Sequence, residues 1–141
     1  KEVQVEMAEK GLVITFVSEV LFASGKDELR DDSLAKLEKV ASVLTTTVSD
    51  LNVGIEGHTD NVPIKTSVYK DNWDLSVARA TSIVRILSTD YGIPPTRLTA
   101  SGKGEYFPKA DNETATGRAK NRRTEIILSP KLEEIMQLLT N

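Results

Sequence analysis

The chain reads as an α+β fold, an α/β sandwich in which a mixed four- to five-stranded sheet carries its helices on one face. Three observations predict it. Residues alternate apolar and polar at the start of the chain and in its middle, which is the period of strands. Two longer segments between them space their apolar residues as helices do. Helix and strand alternate in the middle of the chain, which implies at least one right-handed β-α-β crossover, while the paired strands at the N-terminus add an antiparallel edge.

Val3, Val5 and Met7 alternate with Gln4 and Glu6, predicting a half-buried strand. A polar loop ending in Gly11 leads to a second strand over Leu12–Val17, so residues 1–17 form a hairpin with Leu12, Ile14 and Phe16 facing the core. Val20-Leu21-Phe22-Ala23-Ser24-Gly25 is too broken by Ser and Gly to be a long element, and Phe22 is a core plug. Asp31-Asp32-Ser33 supplies an N-cap and acidic first turn for a helix with Leu34, Leu37, Ala41 and Leu44 on one stripe. Leu51, Val53 and Ile55 then line one face of a strand that ends at Gly57.

A helix over Trp73–Asp90 follows a long loop, with Asn72 as its N-cap and Leu75, Ala78, Ile83, Ile86 and Leu87 as its buried stripe. Tyr91-Gly92-Ile93-Pro94-Pro95 stops it, with Gly in the left-handed position and prolines after it. Arg97–Gly102 is a short strand. A turn-rich stretch runs to Gly117, then a basic turn, then a strand over Thr124–Leu128. Ser129-Pro130 opens a last helix, 129–141, whose Leu132, Ile135, Met136 and Leu139 make it amphipathic. One domain over 1–141 accounts for all of this.

With a net charge of −3 and no long block of like charge, nucleic acid is not an expected partner. The absence of cysteine excludes thiol catalysis, Cys-ligated zinc and disulfides. No apolar run reaches the roughly 18–20 residues of a membrane span. The start on a strand-like run without Met suggests a mature or excised piece whose upstream anchor is missing. A single histidine, His58, without a Gly-x-Ser-x-Gly elbow or a metal-ligand spacing, gives no basis for an enzyme, a bound metal or any other cofactor.

Gly57-His58-Thr59-Asp60-Asn61 ends a strand, and Asn72-Trp73-Asp74-Leu75-Ser76-Val77-Ala78-Arg79-Ala80 begins a helix, so Asp60 and Arg79 fall at neighbouring element ends. Asn72, Ser76 and Arg79 recur at helical spacing as a polar stripe leading from the helix N-terminus, a place suited to a carboxylate. Asp60 capping its own turn, and Arg79 as an ordinary surface residue, account for each side chain separately. The residues by themselves therefore reach only a binding module with a small polar cleft.

Gly57-His58-Thr59-Asp60-Asn61, Asn72-x-x-Leu75-Ser76-x-x-Arg79-Ala80 and Gly117-Arg118-x-x-Asn121-Arg122-Arg123-x-Glu125-Ile126 together resemble the signature of OmpA-like domains, over roughly Leu12–Leu128. The resemblance implies a β-α-β-α-β-β core, with an additional N-terminal hairpin strand and a C-terminal helix. It also implies non-covalent binding of peptidoglycan in the periplasm through the diaminopimelate of the stem peptide, anchoring an envelope protein to the wall. On it, Asp60 accepts from the ammonium of diaminopimelate and Arg79 holds a carboxylate of the same residue. Asn72 adds an amide contact or fixes the helix start, Thr59, Asn61, Leu75 and Phe22 line the cleft, and Asn121 and Arg122 either buttress it or contact the ligand directly. The long Val62–Asp71 loop and Leu21-Phe22-Ala23-Ser24-Gly25 are closest in style to the MotB branch, which implies a flagellar-stator alternative and a possible homodimer through the last helix.

Overall fold

The computed structural model describes residues 3–46, 50–129 and 132–140. Five strands and five helices follow one another as β1 (Val3–Ala8), β2 (Gly11–Val17), α1 (Ser18–Leu21), α2 (Leu34–Thr46), β3 (Asn52–His58), α3 (Asn72–Thr89), β4 (Leu98–Gly102), α4 (Ala115–Asn121), β5 (Arg123–Ser129) and α5 (Leu132–Thr140). The strands form one mixed sheet in the order β1-β2-β5-β3-β4. β3 and β4 run parallel across α3, while the β1–β2, β2–β5 and β5–β3 pairs are antiparallel.

The core lies between one face of this sheet and helices α2 and α3. Phe16, Val53, Ile55, Ile126 and Leu128 point from the strands onto Leu37, Ala41 and Leu44 of α2 and Ala80, Ile83 and Leu87 of α3. Leu12 and Ile14, expected on this face, pack on its margin, and Phe22 plugs it at 1% exposure. α3 comes very close to the sheet. A Cβ on Gly57 would collide with the Ser76 carbonyl, and one on Gly102 would collide with Val77. Two strand positions without side chains thus set the depth at which the helix lies.

Several local expectations change. β1 is exposed along its whole length rather than half-buried, because it is the outermost strand and the helices do not extend over Val5 and Met7, which are 61% and 76% exposed. Asp31–Ser33 forms a 3-10 turn ahead of α2, and Ser33 Oγ donates back to the Arg30 carbonyl. The N-cap of α3 is Asp71, which accepts from the Asp74 N–H at 3.0 Å; Asn72 is the first helical residue. Ala80, not Ala78, joins the core stripe of that helix.

The stretch read as turns before β5 contains a helix. Thr114 caps α4 by accepting from the Gly117 N–H at 2.9 Å, and Gly117 is pressed so closely on the Asp111 carbonyl that no side chain fits. The Pro130 helix start and the packing of Leu132 and Ile135 lie outside the described residues.

Candidate functional site

Where β3 ends, the chain turns sharply. The Thr59 N–H donates to the Gly104 carbonyl at 2.9 Å, tying the strand end to the loop after β4. Asp60 Oδ1 then accepts from the Val62 N–H at 3.0 Å, an Asx turn that holds the carboxylate in place. Its other oxygen, Oδ2, accepts from Arg122 Nη1 at 2.7 Å, and Arg122 Nη2 donates in turn to Glu19 Oε1 at 2.7 Å. The end of β3, the end of α4 and helix α1 are thereby joined by one ion-pair chain.

Arg79 projects from the second turn of α3 and is 6% exposed. Its Nε donates to the Lys26 carbonyl at 2.7 Å and its Nη2 to the Ala23 carbonyl at 3.1 Å, while the guanidinium lies 5.0 Å from the centre of the Phe22 ring. Both acceptors are backbone groups, so the charge is oriented without being neutralised. Burial pushes its pKa below the ordinary value, against smaller opposing effects of Tyr69 and Asp27. For Arg122, burial also acts downward, but the bonds to Glu19 and Asp60 outweigh it and its pKa is raised.

Asn72 sits between these groups. Its Nδ2 donates to the carbonyls of Asp60 and Val62 at 3.3 and 3.2 Å and to Glu105 Oε1 at 3.3 Å. It therefore fastens the start of α3 to the turn after β3.

These residues border a cavity of about 410 Å³ lined by Phe22, Thr59, Asp60, Asn72, Leu75, Arg79 and Arg122. Glu19, Arg118, Ser24, Gly25 and the loop residues Val62, Pro63 and Ile64 complete the wall. Two expected residues are not there. Asn61 is exposed outside the cavity, because the chain turns outward immediately after Asp60. Asn121 is fully buried and holds the loop before α4, accepting from the Lys109 and Ala110 N–H groups at 2.7 and 2.8 Å and donating to the Ala110 carbonyl at 2.9 Å. Its role is to shape the loop. Arg118 was missed as a lining residue although its motif was recognised, since only α4 places it one turn before Arg122. Glu19 gave no signal in the sequence.

His58 points to the other face of the sheet, away from Asp60. There Glu56, His58 and Glu125 bring possible ligand atoms within 4.8 Å of one another. Two cations already serve this cluster: Lys10 Nζ lies 2.7 Å from Glu125 Oε1, and Arg123 Nε lies 2.7 Å from Glu125 Oε2. Burial would raise the Glu125 pKa, but Lys10 and Arg123 hold it down at about 2. Burial also lowers the His58 pKa, more than the neighbouring Glu56 raises it. The group reads as an ion network cementing β3, β5 and the β1–β2 turn.

Fold and site define a class of protein: an α+β domain whose cleft holds a fixed anion, Asp60, and a buried cation, Arg79, on one cavity. The chain belongs to the OmpA family, whose model matches residues 21–122. It is 37% identical to motility protein B of Bacillus subtilis over 130 residues, covering 92% of this chain and 49% of that protein. It is 36% identical to the outer-membrane lipoprotein YfiB of Pseudomonas aeruginosa, covering 87% of this chain and 70% of that one. Among solved structures, the cell wall anchor of the T6SS from Pseudomonas aeruginosa superposes with a TM-score of 0.84 at 38% identity, covering 92% of this chain and 89% of the other. A periplasmic domain of Helicobacter pylori MotB superposes with a TM-score of 0.85 at 25% identity, covering 97% and 94%. The chain thus spans about half the length of the motility protein it matches (49%).

Proposed function

We propose that this domain binds peptidoglycan in the periplasm and anchors its parent protein to the cell wall without catalysing a reaction. Its ligand is the diaminopimelate of the stem peptide, with the ammonium on Asp60 and the side-chain carboxylate on Arg79. The observation that carries this reading is Arg79 itself. The residue is 6% exposed, lines an open cavity, and forms no ion pair among the described residues. A buried charge held only by carbonyls is costly until an anion meets it, and its planar fork suits a carboxylate. Asp60 on the same cavity supplies the complementary acceptor for an ammonium.

The family membership and the resemblance to a cell wall anchor and to MotB periplasmic domains support the same reading. The test is co-sedimentation with purified sacculi. The intact domain should pellet with diaminopimelate-containing walls, and Asp60→Ala should stay in the supernatant while keeping its circular dichroism spectrum. Undiminished sedimentation of Asp60→Ala and Arg79→Ala would overturn the assignment.

A stator-type role, in which the domain also pairs with a second copy, is favoured by the apolar side chains of α5. Met136, Leu138 and Leu139 are 52%, 83% and 77% exposed. Analytical ultracentrifugation distinguishes the readings, because a monomer at high concentration would remove the dimer.

A further inference from the structure

The cleft contains more positive charge than a diaminopimelate side chain needs. Three guanidinium groups, those of Arg79, Arg118 and Arg122, line one cavity with two carboxylates, those of Asp60 and Glu19. Both carboxylates are bonded to the same arginine, Arg122, each at 2.7 Å. Arg79 and Arg118 are left without an ion pair among the described residues. Among the described residues Arg118 makes a single hydrogen bond, from Nη1 to the Asn112 carbonyl at 2.8 Å, and none through its Nε or Nη2. That bond and the helix hold it in place: Arg118 lies on α4 and Arg122 directly follows its end, and both line the cavity.

We propose that Arg118 is a second carboxylate subsite, reading the free α-carboxylate of the γ-linked glutamate that precedes diaminopimelate in the stem peptide. This rests on the wall-peptide reading above. The diaminopimelate side chain carries one carboxylate, which satisfies Arg79 and leaves Arg118 unmatched. The preceding residue is joined through its side-chain carboxyl, so its α-carboxylate stays free and lies one residue away. A cavity of about 410 Å³ falls in the range, roughly 300–1,000 Å³, that encloses a ligand larger than one side chain. Arg118 would then make the site sensitive to amidation of that glutamate, because isoglutamine is neutral and offers no anion to the fork. The other free carboxylate of a short stem peptide is the C-terminal one of diaminopimelate. It has the same chemistry, so the test must separate the two.

Isothermal titration of the whole domain with three soluble peptides does so. The first is L-Ala-γ-D-Glu-diaminopimelate, the second carries isoglutamine in place of glutamate, and the third has glutamate free but the C-terminal carboxyl amidated. The first and third should bind equally, and the second about tenfold or more weakly, the usual scale of a hydrogen bond to a charged partner. Arg118→Gln should bind all three at the weak level. Arg118→Lys should recover only part of the difference. Equal binding of the first and second peptides by the unaltered domain would overturn the proposal, whatever the variants do. A loss confined to the third would move the subsite to the terminal carboxylate and overturn the glutamate assignment. Failure of the wall-peptide reading looks different: Asp60→Asn would then leave the affinity for the first peptide unchanged.

Discussion

Arg122 Nη1 lies 2.7 Å from Asp60 Oδ2, across 62 residues of chain. The Asp60 carboxylate is therefore already aimed by a cation, and its other oxygen is held by the Val62 N–H. Preorganisation of this kind means that little ordering is left to be done on binding. An ammonium bound at Asp60, as proposed above, would share that carboxylate with an arginine. Glu19, bonded to the far side of the Arg122 guanidinium, draws it partly away.

This arrangement separates binding from stability. The Asp60–Arg122–Glu19 chain is partly open to solvent at Arg122 and Glu19, whose side chains are 32% and 58% exposed, so Arg122→Ala should cost stability only about 1 kcal/mol or less. Binding to sacculi should weaken while the urea midpoint moves little. Asp60→Ala should eliminate binding, since removing one partner of a desolvated charged contact costs about 2–5 kcal/mol.

Arg79 has one structural duty and, on the proposed function, one in binding, and its variants should separate them. It holds the Ala23–Lys26 segment through two backbone carbonyls, so Arg79→Ala should destabilise the fold by about 1–3 kcal/mol and abolish wall binding. Arg79→Lys keeps a charge but loses the fork, and should stay folded while still failing to sediment with sacculi. Chemical denaturation alongside sedimentation distinguishes the two effects.

Walls that carry lysine in place of diaminopimelate lack the carboxylate assigned to Arg79. Sedimentation with lysine-type sacculi should be weaker by about tenfold or more, the scale of one charge-assisted hydrogen bond. Equal binding to both wall types would remove Arg79 from recognition.

Acid should weaken the fold through the network behind the sheet. Glu125 titrates at about 2 instead of 4.5, so between these values the unfolded chain binds the proton and the folded chain does not. Its contribution is complete above about pH 4.5 and is lost as the pH falls towards 2. At about 1.4 kcal/mol per pH unit it amounts to on the order of 3 kcal/mol. His58, also depressed below 6.5, adds a loss of the same sign that begins under pH 6.5. Urea midpoints measured down the acid range should fall in the native domain and fall less in Glu125→Gln.

The close approach of α3 is testable with one methyl group. Gly57→Ala forces a Cβ against the Ser76 carbonyl, which is backbone and cannot swing aside. About 1–3 kcal/mol should be lost, and because Asp60 and Arg79 lie on the two elements being pushed apart, wall binding should fall with it. Denaturation midpoints and sedimentation on the same sample measure both.

Much of this was legible from residues alone. The β-branched and aromatic run Leu12–Val17, the alternation in Leu51–Gly57 and the helical spacing in Leu34–Leu44 and Leu75–Leu87 correspond to strands and helices of the observed fold. These patterns are local, since burying one face imposes a period on the chain. α4 escaped because seven residues with a glycine among them make too short and too polar a stretch to show a period. Asp71 escaped as the cap of α3 because Asp and Asn are adjacent and both are good caps.

The site divides in the same way. Sequence by itself determined that Asp60 lies just beyond a strand end, that Arg79 lies on a helix, and that the motifs around them resemble a wall-binding family. Only the tertiary structure decided which charges meet. It joined Asp60 to Arg122 and Arg122 to Glu19 across 62 and 103 residues. It also turned Asn61 out to solvent, buried Asn121 in a loop, and left Arg79 and Arg118 without ion pairs among the described residues. The physical reason is range. Periodicity and capping act within a few residues, whereas the partner of a charge depends on which distant segments the packed sheet brings together.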